Sequence, residues 1–143
     1  MKSTIEYPDG KVYSGEIRDD TPHGSGVMAY PDGSRYEGEF KDGKFHGYGT
    51  LIQASGFKYV GEYKEGVMEG QGMLSQPDGN EYKGEFKNST MHGYGIMTMP
   101  NGSKWEGGFI NGNMDGPGTL TVPEGGKVDG RFEKGRFFIN GTE

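Results

Sequence analysis

Tyr36-Glu37-Gly38-Glu39-Phe40-Lys41-Asp42-Gly43-Lys44-Phe45-His46-Gly47-Tyr48-Gly49-Thr50-Leu51 decides the fold. Two short runs, Tyr36 to Phe40 and Phe45 to about Gln53, flank Lys41-Asp42-Gly43-Lys44. Asp and Gly are turn formers, and Gly43 can take the positive φ that a tight hairpin needs. The stretch therefore predicts a β-hairpin with a four-residue loop. If Phe40 faces Phe45, Gly38 faces Gly47 and Tyr36 faces Gly49. Period-two alternation then places Tyr36, Gly38, Phe40, Phe45, Gly47, Gly49 and Leu51 on one face. A tyrosine can lie flat over a strand glycine, which has no side chain to block it, and cover a weak point of the sheet. The other face takes Arg35, Glu37, Glu39, His46, Tyr48 and Thr50. This register predicts cross-strand pairs Glu16–His23, Glu39–His46 and Glu85–His92, and it sets Glu62 against Glu69, a repulsive match.

Outward from this stretch, the hairpin repeats. Tyr-x-Gly-Glu-aromatic/aliphatic segments begin at Tyr13, Tyr36, Tyr59 and Tyr82, with drifted copies at Trp105 and Val128, each start 23 residues after the last. His-Gly-x-Gly keeps the same step at His23, His46 and His92, with Glu69 and Asp115 replacing His. Turns recur as Pro8-Asp9-Gly10, Pro31-Asp32-Gly33, Pro77-Asp78-Gly79, Pro100-Asn101-Gly102 and Pro123-Glu124-Gly125, while Ala54-Ser55-Gly56 keeps only the glycine. A fixed period of this length marks a repeat architecture. Six units, preceded by a half unit, span residues 5–141, leaving 1–4 and 142–143 as short termini. The predicted fold class is all-β: an elongated, single-layer, twisted antiparallel sheet of tandem hairpins without helices. About twelve strands spaced ~4.8 Å apart give a length of roughly 55 Å.

Composition agrees with an economical core. Glycine supplies 29 of 143 residues and hydrophobic residues only 30%, a balance that alone suggests disorder, yet 9 Tyr, 8 Phe and 1 Trp argue for packing. The 15 basic and 21 acidic residues give a net charge of -6, spread over both halves of the chain. There is no basic stripe for nucleic acid and no polybasic cluster for anionic lipid. Cysteine is absent, which excludes disulfides and thiolate-metal sites. No apolar run approaches the ~20 residues of a membrane helix. The N-terminus lacks the apolar core of a secretory signal, so the expected compartment is the cytoplasm.

The chemistry-bearing residues are spaced for structure. Equivalent positions of neighbouring units lie two strands apart, roughly 10 Å, whereas zinc holds its nitrogens at ~2.0–2.1 Å. His23, His46 and His92 therefore form no metal site. The ladder Glu16, Glu39, Glu62 and Glu85 is too widely spaced, and lacks the cleft, for paired-carboxylate catalysis. No phosphate-binding glycine loop, EF-hand or nucleophile elbow occurs. No catalytic residue, cofactor or metal is expected, and the reading is not an enzyme.

Tyr-x-Gly-Glu-Phe, a turn, His-Gly-x-Gly and an apolar strand, at a 23-residue step, resemble the MORN repeat (membrane occupation and recognition nexus). The resemblance covers nearly the whole chain and departs at the end, where Gly108 and Arg131 replace Glu, Val128 replaces Tyr, and Phe138-Ile139 replaces His-Gly. It implies successive hairpins joined in one twisted antiparallel sheet. Proteins built almost wholly of such repeats resemble adaptors of cytoskeletal, ciliary axoneme or myosin-linked complexes.

The resulting expectation is a non-catalytic scaffold, associated with cytoskeleton, cilium or flagellum, that docks an extended peptide or helix of a partner protein. The groove is assigned to Tyr36, Phe40, Tyr59, Tyr63, Tyr82, Phe86, Trp105 and Phe109, flanked by the column Phe45, Met68, Met91, Met114 and Phe137. Methionines on such a surface adapt to varied partners. Phe137, Phe138 and Ile139 form an apolar last edge strand suited to a homodimer contact. Two alternatives stand beside this. One is membrane attachment through acidic phospholipids, which the net acidity disfavours. The other is an accessory role to an enzyme in a separate chain. No nucleic-acid partner is expected.

Overall fold

The computed structural model describes residues 2–140. Its strands are β1 (Lys2–Glu6), β2 (Val12–Arg18), β3 (Thr21–Ala29), β4 (Arg35–Lys41), β5 (Lys44–Ile52), β6 (Lys58–Lys64), β7 (Val67–Ser75), β8 (Glu81–Lys87), β9 (Thr90–Thr98), β10 (Lys104–Ile110), β11 (Asn113–Thr121), β12 (Lys127–Glu133) and β13 (Arg136–Ile139). They form one antiparallel sheet in chain order, with β1 and β13 at its two edges. No helix occurs among the described residues, so none is long and apolar enough to cross a membrane. The predicted array limits reach residue 141, which, with the terminus 142–143, lies outside the described residues.

Each unit is a hairpin closed by a two-residue loop. Lys41 pairs with Lys44, so the loop is Asp42-Gly43 rather than the four residues expected. Both loop residues have positive φ, +50° at Asp42 and +82° at Gly43. Such loops match the twist of the flanking strands, which is why Gly stands second in four of them, at Gly43, Gly66, Gly112 and Gly135. The Gly43 N–H then donates to the Pro22 carbonyl of the preceding hairpin at 2.9 Å, and Gly66 to Phe45 and Gly112 to Met91 likewise. The Pro-Asp-Gly turns join one unit to the next. In the turn at Asp32 the side chain accepts the Ser34 N–H at 2.8 Å, fixing the turn locally.

The hairpin register corrects the sequence reading. Phe40 pairs with Phe45 as expected, but the next pair is Gly38 with Gly49, and Tyr36 faces Leu51. Three residues, His46, Gly47 and Tyr48, stand opposite Glu39 alone. This is a bulge with two extra residues, and it recurs in the hairpins β2–β3, β6–β7, β8–β9 and β10–β11. Gly47 takes φ +67°, which a side chain tolerates poorly. The extra residues number two, so the side chains on either side of the bulge keep their predicted face, while Gly47 inside it turns toward the Glu39 carboxylate on the opposite face. The last hairpin has no bulge: Gly130 pairs with Ile139 and Phe132 with Phe137 in a regular ladder. Ile139 replaces the bulge glycine there, and a β-branched residue disfavours positive φ.

One face carries the core. Tyr13, Tyr36, Tyr59, Tyr82 and Trp105 are all at most 2% exposed, although no second layer among the described residues covers them. The Tyr36 ring runs along its own strand, and its Oη donates to the Glu39 carbonyl at 2.9 Å. Tyr59 reaches Glu62 and Tyr82 reaches Glu85 in the same way, and the Trp105 Nε1 reaches Gly108. Each ring also meets the next unit edge-to-face: Tyr13 on Phe40 at 4.9 Å, Tyr59 on Phe86 at 5.0 Å, Tyr82 on Phe109 at 4.8 Å and Trp105 on Phe132 at 4.8 Å. Aromatic pairs of this geometry add about 0.5–1.5 kcal/mol each beyond area burial. The rings thus bind unit to unit in a continuous chain, as nearest-neighbour contacts do in repeat proteins.

Candidate functional site

The Glu ladder owes its place to the bulge, which turns one backbone N–H of the second strand away from its neighbour. The Tyr48 N–H is taken by the Glu39 carboxylate at 2.9 Å, Gln71 by Glu62 at 2.6 Å, Tyr94 by Glu85 at 3.2 Å and Ser25 by Glu16 at 3.1 Å. In the fifth unit Pro117 occupies the equivalent position and has no N–H to satisfy. Gly108 stands where the glutamate would be, and a Cβ there would come within 2.2 Å of the Asp115 carbonyl. The two departures are therefore one structural change.

The predicted Glu–His cross-strand pairs do not form. His23 instead accepts from the Asp42 N–H of the next hairpin loop at 3.3 Å through Nδ1. Glu69, at the same repeat position, accepts the Asn88 N–H at 2.9 Å. Glu62 and Glu69, expected to face each other, are not a cross-strand pair, and each carboxylate serves a different backbone donor. This position ties one unit to the next loop, a task open to either residue type. The repeat spacing pointed to a structural role, but the i+19 partner lies in another hairpin and left no local signal. No group of three His, Asp or Glu that could hold a metal occurs among the described residues.

All eight residues assigned to the groove are brought together in one layer, and all are buried, from 0% exposed at Tyr36 and Trp105 to 5% at Tyr63. Their own neighbours cover them. They form the floor of this face, and its outer surface is the half-buried set packed against them, including Phe45, Leu51, Met68, Leu74 and Met91. Phe45 stacks flat on Tyr36 at 3.8 Å between centroids. A notch of about 190 Å³ opens on this face between Leu51, Phe57, Met68 and Leu74, with Tyr59 in its wall. Burial pushes the Tyr36 and Tyr82 phenols up to about 12, helped by the Glu39 and Glu85 charges. It pushes Tyr59 and Tyr63 further in the same direction. These phenols are neutral at every physiological pH, so the layer is an apolar surface with no proton to exchange.

At the last edge, Phe137 packs on Trp105 and Phe132. Phe138 lies on the opposite face beneath the Arg131 guanidinium, 4.9 Å from the ring centre. Ile139 is 52% exposed. The polar face also holds a feature that the sequence reading passed over. Tyr48, Val60, Met73 and Tyr94 are each more than 40% exposed there. The alternation had placed Tyr48 on that face, but its neighbours Val60 and Met73 come from the next hairpin, β6–β7.

The family model for the MORN repeat matches residues 13–35, 36–57, 59–81, 82–104 and 105–127 in succession. No curated protein matches the chain. Among solved structures, the chain is similar to the TCP domain of SAS-4 (dCPAP) from Drosophila melanogaster, in complex with a proline-rich motif of Ana2 (dSTIL), with 15% identity and a TM-score of 0.41, over 90% of this chain and 82% of that one. The TCP10 domain of Danio rerio CPAP, in complex with a peptide of STIL, gives 18% identity and a TM-score of 0.22, over 98% of this chain and 74% of that one.

Proposed function

The chain belongs to the MORN-repeat family, and on that premise we propose that it is a non-catalytic scaffold whose aromatic face docks an extended peptide or helix of a partner protein. The observation that carries the reading is a one-layer sheet with an apolar face that no second layer covers. Its rings are sealed by their own neighbours, while Phe45, Leu51, Met68, Leu74 and Met91 remain partly open above them. Apolar strips of this kind mark partner sites, and a repeat array extends the strip over many residues. An amphipathic helix or an extended segment would seat apolar anchors between the methionines and leucines, with the notch beside Tyr59 taking one side chain. The setting we propose, from the family resemblance, is a cytoskeletal or axonemal assembly.

The test is affinity capture of the tagged chain from its native cells, in parallel with a Leu74→Glu, Met91→Glu variant. A stoichiometric partner that the variant fails to retain while staying folded supports docking on this face. Equal capture by the folded variant sinks it. The open edge at β13 is a separate proposal, a homodimer through Phe137, Phe138 and Ile139. A monomer by light scattering at high concentration would remove it.

A further inference from the structure

We propose that the opposite, polar face is an interface between two copies of this chain, packed sheet on sheet. The two-fold axis runs along the strands between β6 and β7. Three observations lead there. First, the face has an exposed apolar centre. Val60 pairs with Met73 across β6 and β7, with Tyr48 on β5 and Tyr94 on β9 to either side. Their exposures run from 41% at Val60 to 61% at Tyr48. Large exposed apolar groups gathered on one stretch of sheet mark an interface more than scattered ones do.

Second, the row beside that centre is its own complement. Across β4 to β9 it reads Glu39, Tyr48, Glu62, Gln71, Glu85, Tyr94. A carboxylate, which only accepts hydrogen bonds, alternates with a side chain that can donate one. An axis on a strand would set Glu against Glu. An axis between two strands sets every Glu against a donor, and the one between β6 and β7 also centres the apolar groups. There β6 faces β7 of the second copy, β5 faces β8 and β4 faces β9. Tyr48 meets Glu85 of the second copy, Tyr94 meets Glu39 and Gln71 meets Glu62. One row along, Val60 meets Met73, and Lys83 faces Thr50, one strand from Glu37. Each carboxylate of the first row spends one oxygen on its own backbone N–H. The other oxygen is left for the phenol or amide opposite.

Third, charge and area suit a second copy. The chain carries -6 overall, yet strands β4 to β9 together hold seven Lys or Arg against six Glu. Two copies therefore meet here without the self-repulsion of a net charge. Lys41, Lys64 and Lys87 lie two residues beyond the glutamates, at the hairpin ends. In this arrangement Lys41 faces Thr90 and Lys64 faces Val67. The one like-charge match is Lys44 with Lys87, at the strand ends, where two twisted sheets diverge. Six strands at ~4.8 Å and three same-face rows at ~6.7 Å cover about 29 by 20 Å, or roughly 1,160 Å² for the two copies. A specific interface needs about 1,000 Å². The same patch serves both copies, so the contact closes as a dimer.

The experiment uses the full chain, which has no cysteine of its own. A Met73→Cys variant places its thiol one strand step, about 4.8 Å along the sheet, from that of the second copy. An Ala29→Cys variant, exposed on the same face, places it seven steps away, about 34 Å. A short bismaleimide should join Met73→Cys chains into covalent dimers at least tenfold more completely than Ala29→Cys chains. Sedimentation equilibrium should show a dimer. Val60→Glu with Met73→Glu, both exposed and so compatible with folding, should weaken it at least tenfold with an unchanged circular dichroism spectrum. Tyr48→Phe with Tyr94→Phe keeps the rings, removes the hydroxyls and should weaken it at least threefold. Ile139→Glu on the β13 edge and Leu74→Glu on the aromatic face should leave it unchanged. A monomer at every concentration, equal crosslinking at both positions, or a full-strength dimer of the folded glutamate variant overturns the proposal. Undiminished association of the phenylalanine variant overturns the register. Loss on Ile139→Glu alone moves the contact to the edge strand, and loss on Leu74→Glu alone moves it to the aromatic face. Either result overturns the polar-face dimer.

Discussion

Replacing Gly49 by alanine is a one-methyl change that tests the packing logic of the whole array. A Cβ at Gly49 would lie 2.2 Å from the Tyr36 Oη, 2.4 Å from its Cζ and 2.5 Å from its Cε1. The ring cannot slide along its strand, because its hydroxyl is held by the Glu39 carbonyl and its face is stacked on Phe45. It must lift off the sheet. Overpacking of this kind costs about 1–3 kcal/mol, and the lost hydrogen bond adds about 0.5–1.5 kcal/mol. The sum, about 1.5–4.5 kcal/mol, is a large share of the ~5–15 kcal/mol that stabilises a typical domain. A urea titration followed by far-ultraviolet circular dichroism reads it directly. Gly126→Ala is the control: its Cβ would meet only Val122 Cγ2, at 3.5 Å, so the change should stay within about 0.5 kcal/mol. In a Tyr36→Ala background the Gly49→Ala cost should largely vanish, since the obstructing ring is gone. Equal midpoints for Gly49→Ala and Gly126→Ala, or strict additivity in the double variant, would refute the account of glycine as the seat of the ring.

Further outcomes follow from the same contacts. Glu39→Ala leaves the Tyr48 N–H without its acceptor and should cost about 1 kcal/mol by thermal melting, whereas Glu39→Gln keeps an acceptor oxygen and should cost less. Glu69→Ala frees the Asn88 loop N–H, and hydrogen exchange there should accelerate while the sheet core stays protected. Alkaline stability should fall above pH ~10, where an unfolded tyrosine begins to ionise. Tyr36 and Tyr82 resist ionisation to about 12 in the fold, so the unfolded state binds fewer protons across that window. Their stabilisation is complete below pH ~10 and lost as pH rises through about 12, at up to about 1.4 kcal/mol per pH unit for each ring. An absorbance titration at 295 nm that shows these rings ionising near pH 10 in a still-folded chain would contradict the burial of their hydroxyls.

Much of this architecture was legible residue by residue. The 23-residue step fixed the number of hairpins, Asp42-Gly43 marked where its own hairpin turns and the step carried that place to the others, and the alternation from Tyr36 to Leu51 fixed which side chains share a face outside the bulge. The pairing of Tyr36 was not legible. Nor were the partners of Glu39 and His23, because each reaches a backbone N–H that only the folded bulge or the next hairpin brings near. Tyr48 gave no sign of lying beside Val60 and Met73, since it comes from a different hairpin and meets them only when the strands are laid side by side.

The sequence by itself determined parity. A period of two specifies the face of every side chain, and rings alternating with glycines on one face specify a sheet that can fold its own aromatics over itself. Register was left to the tertiary structure, because a two-residue slip preserves parity and leaves the pattern unchanged. What selects the slipped register is physical. Gly47 at positive φ admits the two extra residues, and the Glu39 carboxylate holds the N–H they expose. The tyrosine hydroxyl then closes on the Glu39 carbonyl, three residues along its own strand. Where Ile139 takes the place of the glycine, the slip does not occur and the ladder runs straight to the edge.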